Sequence, residues 1–218
     1  MAGQGMGTLL LPPGYTGSAT LEIKRSVFLA QIARVGDEAS AREVIAAARK
    51  THADARHHCS AFVVSVEHAQ PVERSSDDGE PAGTGGMPIL AALHGSGLVD
   101  VVCVVTRWFG GVKLGAGPLA RAYGDAAGAA LSAAPRVERV VHPRWRVHIS
   151  YADIGRLHND LSARGLTVEP EYGAEASLLV VAPKGVDVRA LVASLTQGSG
   201  VVETAGTLAV ESALPDRA

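Results

Sequence analysis

Early in the chain, apolar and polar residues first alternate, and the apolar residues then recur at the spacing of a helix. The stretch 19–35 alternates and predicts two short strands separated near Lys24. After Asp37, a residue type that caps helices, apolar side chains recur on one helical face and predict an amphipathic helix over 38–50. The run 59–66 predicts a further strand. The first part of the chain therefore mixes strands with a helix.

A long polar loop that contains glycine and a second, glycine-rich loop follow in the middle of the chain. The first covers 67–86 and the second 108–117, and between them the pattern predicts a short helix at 88–94 and a buried strand at 101–105. Pro118 then lies where the first turn of a helix favours proline. Loops as long as the first are usually functional or mobile in a compact domain.

The last third of the chain predicts a second domain after a linker at 133–137. The predicted order is strand, helix, strand, strand, helix, strand, over the segments 144–150, 152–163, 167–172, 177–182, 186–195 and 201–210. This order is the split βαβ, ferredoxin-like plan. We therefore predict an α+β protein with a flexible lead-in, 1–17, an N-terminal domain, 18–134, and a C-terminal ferredoxin-like domain, 140–212.

Composition agrees with a globular chain and narrows the class of partner. Hydrophobic residues make up 47% of the chain and charged residues 19%, which excludes a largely disordered protein. A net charge of -2 gives no global attraction to nucleic acid or anionic lipid, so any anion must be held by a local patch. The longest apolar runs fall well short of the roughly 20 residues that a membrane span needs, so we predict no membrane partner.

The cysteine content points to a reducing compartment. Cys59 and Cys103 are the two cysteines of the chain, and both lie in apolar, strand-like runs where a thiol behaves as a small hydrophobe. Two such residues do not make a disulfide scaffold. We therefore predict a cytoplasmic protein.

Four motifs stand in order through the central part of the chain. They read ARHHCSA at 55–61, ERSSDDGEPAGTGG at 73–86, VVTRWFGGVKLG at 104–115 and LARAY at 119–123. Together they resemble the signature of the IMPACT family, whose bacterial branch is often called YigZ-like, and the resemblance is strong over 20–134. It implies an N-terminal domain similar to the second domain of ribosomal protein S5, followed by a ferredoxin-like domain.

The same resemblance carries an expectation about function. Eukaryotic relatives are implicated in the control of translation, so RNA, the ribosome or translation factors are the partners that it implies. Two positions depart from the family pattern: Gly85, where relatives usually carry alanine, and Pro118, where they usually carry glycine. Proline is compatible with a helix start, so we expect the site to survive both changes.

The two central loops carry opposite charges, and we expect them to face each other. The first has acidic side chains at Asp77, Asp78 and Glu80. The second, with the helix after it, could bind an anion or phosphate through converging backbone N–H groups, the helix dipole and basic side chains. The candidate residues are Arg107, Gly110, Gly111, Lys113, Gly115 and Arg121, together with His57, the histidine that matches the family motif.

Other interpretations of the same residues stay open. The acidic and basic loops could simply pair and hold the fold. The carboxylates could also hold Mg²⁺ together with phosphate oxygens, although Asp-Asp-Gly is equally a good turn sequence. Near His57, a reactive cysteine–histidine pair would need an orienting third group, so a core thiol beside a hydrogen-bonded histidine is favoured.

Three functions follow from these alternatives. The first is a non-catalytic binding protein linked to translation regulation, which recognises RNA or a nucleotide-like phosphate between the loops. The second is a small-molecule hydrolase or phosphoryl-transfer enzyme that uses the acidic loop. The third is a structural or protein-interaction module. We favour the first because no complete set of nucleophile, base and orienting group can be named.

Overall fold

The computed structural model describes residues 7–67 and 69–214. Its strands are β1 (Thr8–Leu10), β2 (Thr16–Ile23), β3 (Ser26–Arg34), β4 (His57–Val64), β5 (Val72–Ser76), β6 (Val101–Trp108), β7 (Val137–Ile149), β8 (Thr167–Tyr172), β9 (Ala176–Val181) and β10 (Val201–Ala213). Its helices are α1 (Glu38–Thr51), α2 (Gly86–Ser96), α3 (Ala116–Ala133), α4 (Ile154–Ser162) and α5 (Val188–Thr196). The predicted α+β class is confirmed. No helix within the described ranges is both long and apolar enough to cross a membrane.

Two compact units make up the fold, and the larger is built from Thr8–Glu138. Its five-stranded sheet has the order β2-β3-β6-β4-β5 with antiparallel pairing throughout. The predicted break near Lys24 is the hairpin turn between β2 and β3, where Lys24 and Arg25 both have positive φ. The predicted cap of α1 is also present, because the Asp37 carboxylate accepts a hydrogen bond from the N–H of Ser40 at 2.7 Å.

Helices cover both faces of this sheet. On one face α2 and α3 pack together over a core that includes Phe28, Ile89 and Tyr123. On the other face α1 packs over a second core around Phe62 and Val102. Because β4 and β6 are covered on both sides, nearly every residue in them is buried rather than every second one.

The boundaries of two elements near the loops differ from the prediction. The segment 67–86 was expected to be one loop, but it contains the edge strand β5. Its sequence, VERSS, is too polar to show a strand pattern, because an edge strand can expose most of its side chains. The strand predicted at 101–105 continues to Trp108, which places Arg107 inside the sheet rather than in the second loop.

Part of the predicted flexible lead-in, 1–17, is ordered. Residues 1–6 of that segment lie outside the described residues. Thr8–Leu10 form β1, and Leu10 and Leu11 are completely buried. The carbonyl of Leu9 also accepts a hydrogen bond from the N–H of Val99 at 3.1 Å. Burial of these apolar side chains outweighs the turn-forming glycine and proline around them.

The smaller unit is built from Arg139–Glu211. Its elements follow the predicted order βαββαβ, with β9 between β7 and β8 and with β10 beside β7. Helices α4 and α5 supply Leu157 and Val192 to a core that also contains Leu178 from β9. The domain limits 18–134 and 140–212 and the likeness of the first domain to ribosomal protein S5 stay predictions.

Candidate functional site

Strand pairing brings the motif residues to one end of the larger unit's sheet. His57 begins β4 and lies directly opposite Arg107, near the end of the antiparallel strand β6. The acidic loop, residues 77–85, and the glycine loop, residues 109–115, reach the same end. An ion pair between Arg107 of β6 and Glu80 ties the acidic loop to this end of the sheet, and both loops line one cleft there.

This ion pair is buried at the wall of that cleft. Arg107 Nη1 donates to Glu80 Oε1 at 2.6 Å, and the two side chains are only 7% and 5% exposed. Tyr123 Oη donates to the same oxygen at 2.8 Å. The guanidinium also lies 5.4 Å from the ring centre of Phe28 and 5.6 Å from that of Phe109. The charge of Glu80 is therefore already balanced within the protein.

The carboxylates of Asp77 and Asp78 accept hydrogen bonds from main-chain N–H groups. The Asp77 carboxylate accepts hydrogen bonds from three N–H groups at the start of α2, at 2.8–2.9 Å, which belong to Gly83, Gly85 and Gly86. The Asp78 carboxylate accepts from the N–H of His58 at 2.7 Å and from Arg49 Nη2 at 2.6 Å. In the ranges that the structure describes, no three His, Cys, Asp or Glu side chains are grouped to hold a metal ion. The three carboxylates of the magnesium hypothesis thus have other partners.

We expect Asp77→Ala to lower the free energy of unfolding by about 2–3 kcal/mol at neutral pH, because three N–H groups lose a charged acceptor. Burial alone would raise the pKa of Asp77, but the backbone donors outweigh it and hold the pKa below its ordinary value of 3.8. The contribution is therefore present above that value and is lost as the pH falls through the lower folded-state pKa. Urea unfolding at several pH values measures the difference, with Asp125→Ala on exposed α3 surface as control. A difference that did not shrink in acid would contradict this assignment.

A cleft of 430 Å³ opens between the acidic loop, the glycine loop and the start of α3. Its walls are formed by Arg56, His57, Glu80, Pro81, Arg107, Phe109, Lys113, Leu114, Gly115, Ala116 and Leu119. Arg56 and Lys113 are exposed, and neither has an ion-pair partner in the described part of the chain. Because Glu80 is neutralised by Arg107, these two cations leave the cleft with a net positive charge.

The start of α3 adds backbone donors to this cleft. Gly115 precedes the helix with a φ of 83°, and the first helical hydrogen bond runs from the N–H of Leu119 to the carbonyl of Gly115 at 3.0 Å. The N–H groups of Ala116 and Gly117 have no acceptor among the described residues, and Pro118 has no N–H. The positive end of the helix dipole therefore lies beside Lys113.

His57 presents one ring nitrogen to the protein. Its Nδ1 lies 2.9 Å from the carbonyl oxygen of Asp78. Because a carbonyl only accepts, Nδ1 carries the proton, and Nε2 of the neutral ring is an acceptor. On protonation Nε2 becomes a donor. The ring, which lines the cleft, can therefore contact a ligand through Nε2.

The structure does not bring every predicted residue to this cleft. Gly110 packs against the hairpin of β2 and β3 and donates its N–H to Ser26 Oγ at 3.1 Å. Neither Gly110 nor Gly111 lines the cleft, and Arg121 is exposed on α3 away from it. Arg56 and Phe109 line it but were not predicted, although each lies beside a predicted residue in the motifs.

Cys59 is a core thiol. It is completely buried, its Sγ donates to the carbonyl of Asp77 at 3.0 Å, and burial raises the pKa of the thiol to about 12. At neutral pH almost none of it is thiolate, which is the nucleophilic form. The interpretation of Cys59 as a packing residue therefore fits its position.

Cys59 also explains glycine at position 85. A Cβ on Gly85 would lie 2.4 Å from Cys59 Sγ and 2.9 Å from its Cβ, closer than atoms can approach. We expect Gly85→Ala to lower the free energy of unfolding by about 1–3 kcal/mol and Cys59→Ala to recover much of that loss in the double variant. A double-mutant cycle in urea measures the coupling. Additive effects would show that the two side chains do not compete for space.

The geometry defines a class of protein: an α+β chain whose larger unit has a positively charged cleft at one end of its sheet. Residues 24–131 match the family model of the Impact N-terminal domain. The chain is 34% identical over 181 residues to IMPACT family member YigZ of Escherichia coli, which covers 82% of this chain and 89% of that protein. It is 39% identical over 145 residues, 66% of each chain, to IMPACT family member YvyE of Bacillus subtilis. The chain belongs to the IMPACT family.

A solved structure supports the same fold. It is the crystal structure of a hypothetical protein that is 30% identical to this chain. The match covers 90% of this chain and 96% of that one, with a TM-score of 0.60.

Proposed function

We propose that the protein is a non-catalytic binding protein that recognises a nucleotide-like phosphate, free or within RNA, in the cleft between the two loops. One observation carries the proposal. Arg56, Lys113 and the open end of α3 all line a cleft in which Glu80, the one carboxylate among its described lining residues, is already neutralised by Arg107. Such a site favours an anion, and helix starts with a nearby lysine are suited to phosphate.

The apolar part of the cleft favours a ligand with a flat ring beside its phosphate. Phe109 is 54% exposed, which is unusual for a phenylalanine, and it lies at the cleft together with Leu114 and Leu119. Aromatic side chains stack with nucleobases in a way that tolerates different sequences. This arrangement supports a nucleotide over inorganic phosphate.

The enzyme alternative has less support from the same residues. Cys59 is buried with a raised pKa, and each carboxylate of the acidic loop has a protein partner. The role in translation regulation, the cytoplasmic location and partners such as RNA, the ribosome or translation factors are proposals that rest on membership of the family.

Isothermal titration with adenosine monophosphate tests the proposal directly. We expect Lys113→Ala and Arg56→Ala each to weaken binding about tenfold, which corresponds to loss of roughly 1.4 kcal/mol per charged contact. Lys50→Ala removes an exposed lysine of α1 outside the cleft and should leave the affinity unchanged. No binding, or equal binding by all variants, would contradict a phosphate site here.

A second titration with short oligouridylate distinguishes RNA from a free nucleotide. If RNA binds through phosphates, its affinity should fall with rising salt. The slope of log affinity against log salt concentration should be smaller by about one in Lys113→Ala, because one phosphate contact is lost. Analysis of the nucleotide after incubation shows whether it is unchanged. Hydrolysis that depended on the acidic loop would replace the binding proposal with the enzyme alternative.

A further inference from the structure

A second groove, of 510 Å³, lies on the face of the larger unit's sheet that α1 covers. One wall is α1 and the other is the edge strand β5, because α1 does not extend over the last strand of the sheet. Ile45 and Phe62 contribute an apolar floor. The proposed phosphate cleft shares none of these residues, so this groove is a separate site.

Three arginines surround the groove, and none of its lining residues in the described part of the chain is acidic. Arg42 and Arg49 project from α1, and Arg74 projects from β5, directly opposite Phe62 of β4. Arg42 pairs with Glu38 one turn away, but its side chain is 66% exposed, and such a surface pair is easily exchanged for another anion. The guanidinium of Arg74 donates to the carbonyl of the neighbouring Glu73. Both side chains can therefore turn to a ligand.

Strand β5, the edge strand of the sheet, forms part of the same groove. Arg74, Ser75 and Ser76 all line it, although consecutive side chains of a strand point to opposite faces. All three residues can line one groove because the main chain of β5 forms part of its wall. Because β5 ends the sheet, alternate N–H and C=O groups along it point away from β4.

We propose that this groove binds an extended acidic peptide segment of a partner protein. The peptide adds to β5 as a further strand, and its acidic side chains lie against Arg42 and Arg74, while Arg49 keeps its ion pair with Asp78. The strand edge favours a polypeptide over RNA, because a peptide main chain matches the hydrogen-bonding groups of β5. The floor also offers no exposed aromatic ring for a nucleobase, since Phe62 is buried.

Fluorescence anisotropy with a labelled peptide of roughly ten residues, alternating glutamate and valine, tests the proposal on the full chain. In an extended strand its carboxylates share one face. We expect it to bind wild type, and the double charge reversal Arg42→Glu with Arg74→Glu to weaken binding at least about tenfold. Lys50→Glu, on the same helix but outside the groove, should bind as wild type does.

Two altered peptides separate charge from main-chain pairing. The glutamine–valine peptide should bind much more weakly, and a glutamate–valine peptide with N-methyl groups on alternate residues should lose binding because it cannot pair with β5. Equal binding by either peptide, by the charge-reversed variant, or no binding at all would overturn the proposal. So would competition by oligouridylate for the same arginines. Because Arg42 and Arg74 are exposed, we expect both variants to fold, and thermal melts are the check.

Discussion

Glu80→Ala is expected to lower the free energy of unfolding by about 3–5 kcal/mol, because it leaves the buried Arg107 without its charge partner. Both side chains are almost fully buried, and Tyr123 also loses the acceptor of its hydroxyl group. Urea unfolding followed by circular dichroism measures the loss. Glu73→Ala is the matched control, since Glu73 is a partly exposed carboxylate in the same region that faces His94 and should cost less than about 1 kcal/mol.

A second variant shows whether the cost comes from the unpaired charge. Glu80→Gln combined with Arg107→Met removes both charges and should lose less than Glu80→Ala alone, because no charge is left buried. If Glu80→Ala cost no more than Glu73→Ala, the buried pair would not hold the acidic loop against β6.

Gly110→Ala is expected to lower the free energy of unfolding by about 3 kcal/mol or more, at the upper end of the cost of overpacking. A Cβ at this position would lie 2.1 Å from the carbonyl carbon of Arg25 and 2.3 Å from the N of Ser26. These are main-chain atoms of the hairpin between β2 and β3, so they cannot rotate away. Thermal and urea unfolding both report the loss.

Gly128→Ala in α3 is the control for this substitution. A Cβ there meets no atom within 4 Å, so alanine should stabilise the helix by roughly 0.5–1 kcal/mol. If both alanine variants had the same small effect, the contact between Gly110 and the hairpin would be looser than described.

Elements with a strong local signal were predicted from the sequence. Helix α1 has a capping residue, Asp37, and a clear apolar face, and the βαββαβ order of the smaller unit follows from its alternating patterns. Strand β5 was missed because an edge strand needs only one neighbour and tolerates polar side chains. The three hydrogen bonds of Asp77 to the start of α2 were missed because they depend on how a loop closes.

The candidate site was predicted in part. Lys113 and His57 reach the cleft because they belong to motifs at one end of paired strands. Arg121 does not, because it follows the cleft residue Leu119 by two positions, and a helix turns by about 200° over that distance. No sequence pattern marked Arg56 as a site residue, since an arginine before a strand is usually only a solvated side chain.

The most direct test of the phosphate site is a titration with adenosine monophosphate followed in amide correlation spectra. We predict that the N–H signals of Ala116 and Gly117 and the ring of His57 shift together, and that Lys113→Ala reduces the shifts at each ligand concentration. Signals of α1 and β5, which lie outside the cleft, should stay in place. Unchanged spectra, or shifts confined to residues outside the cleft, would contradict binding of a nucleotide-like phosphate at the start of α3.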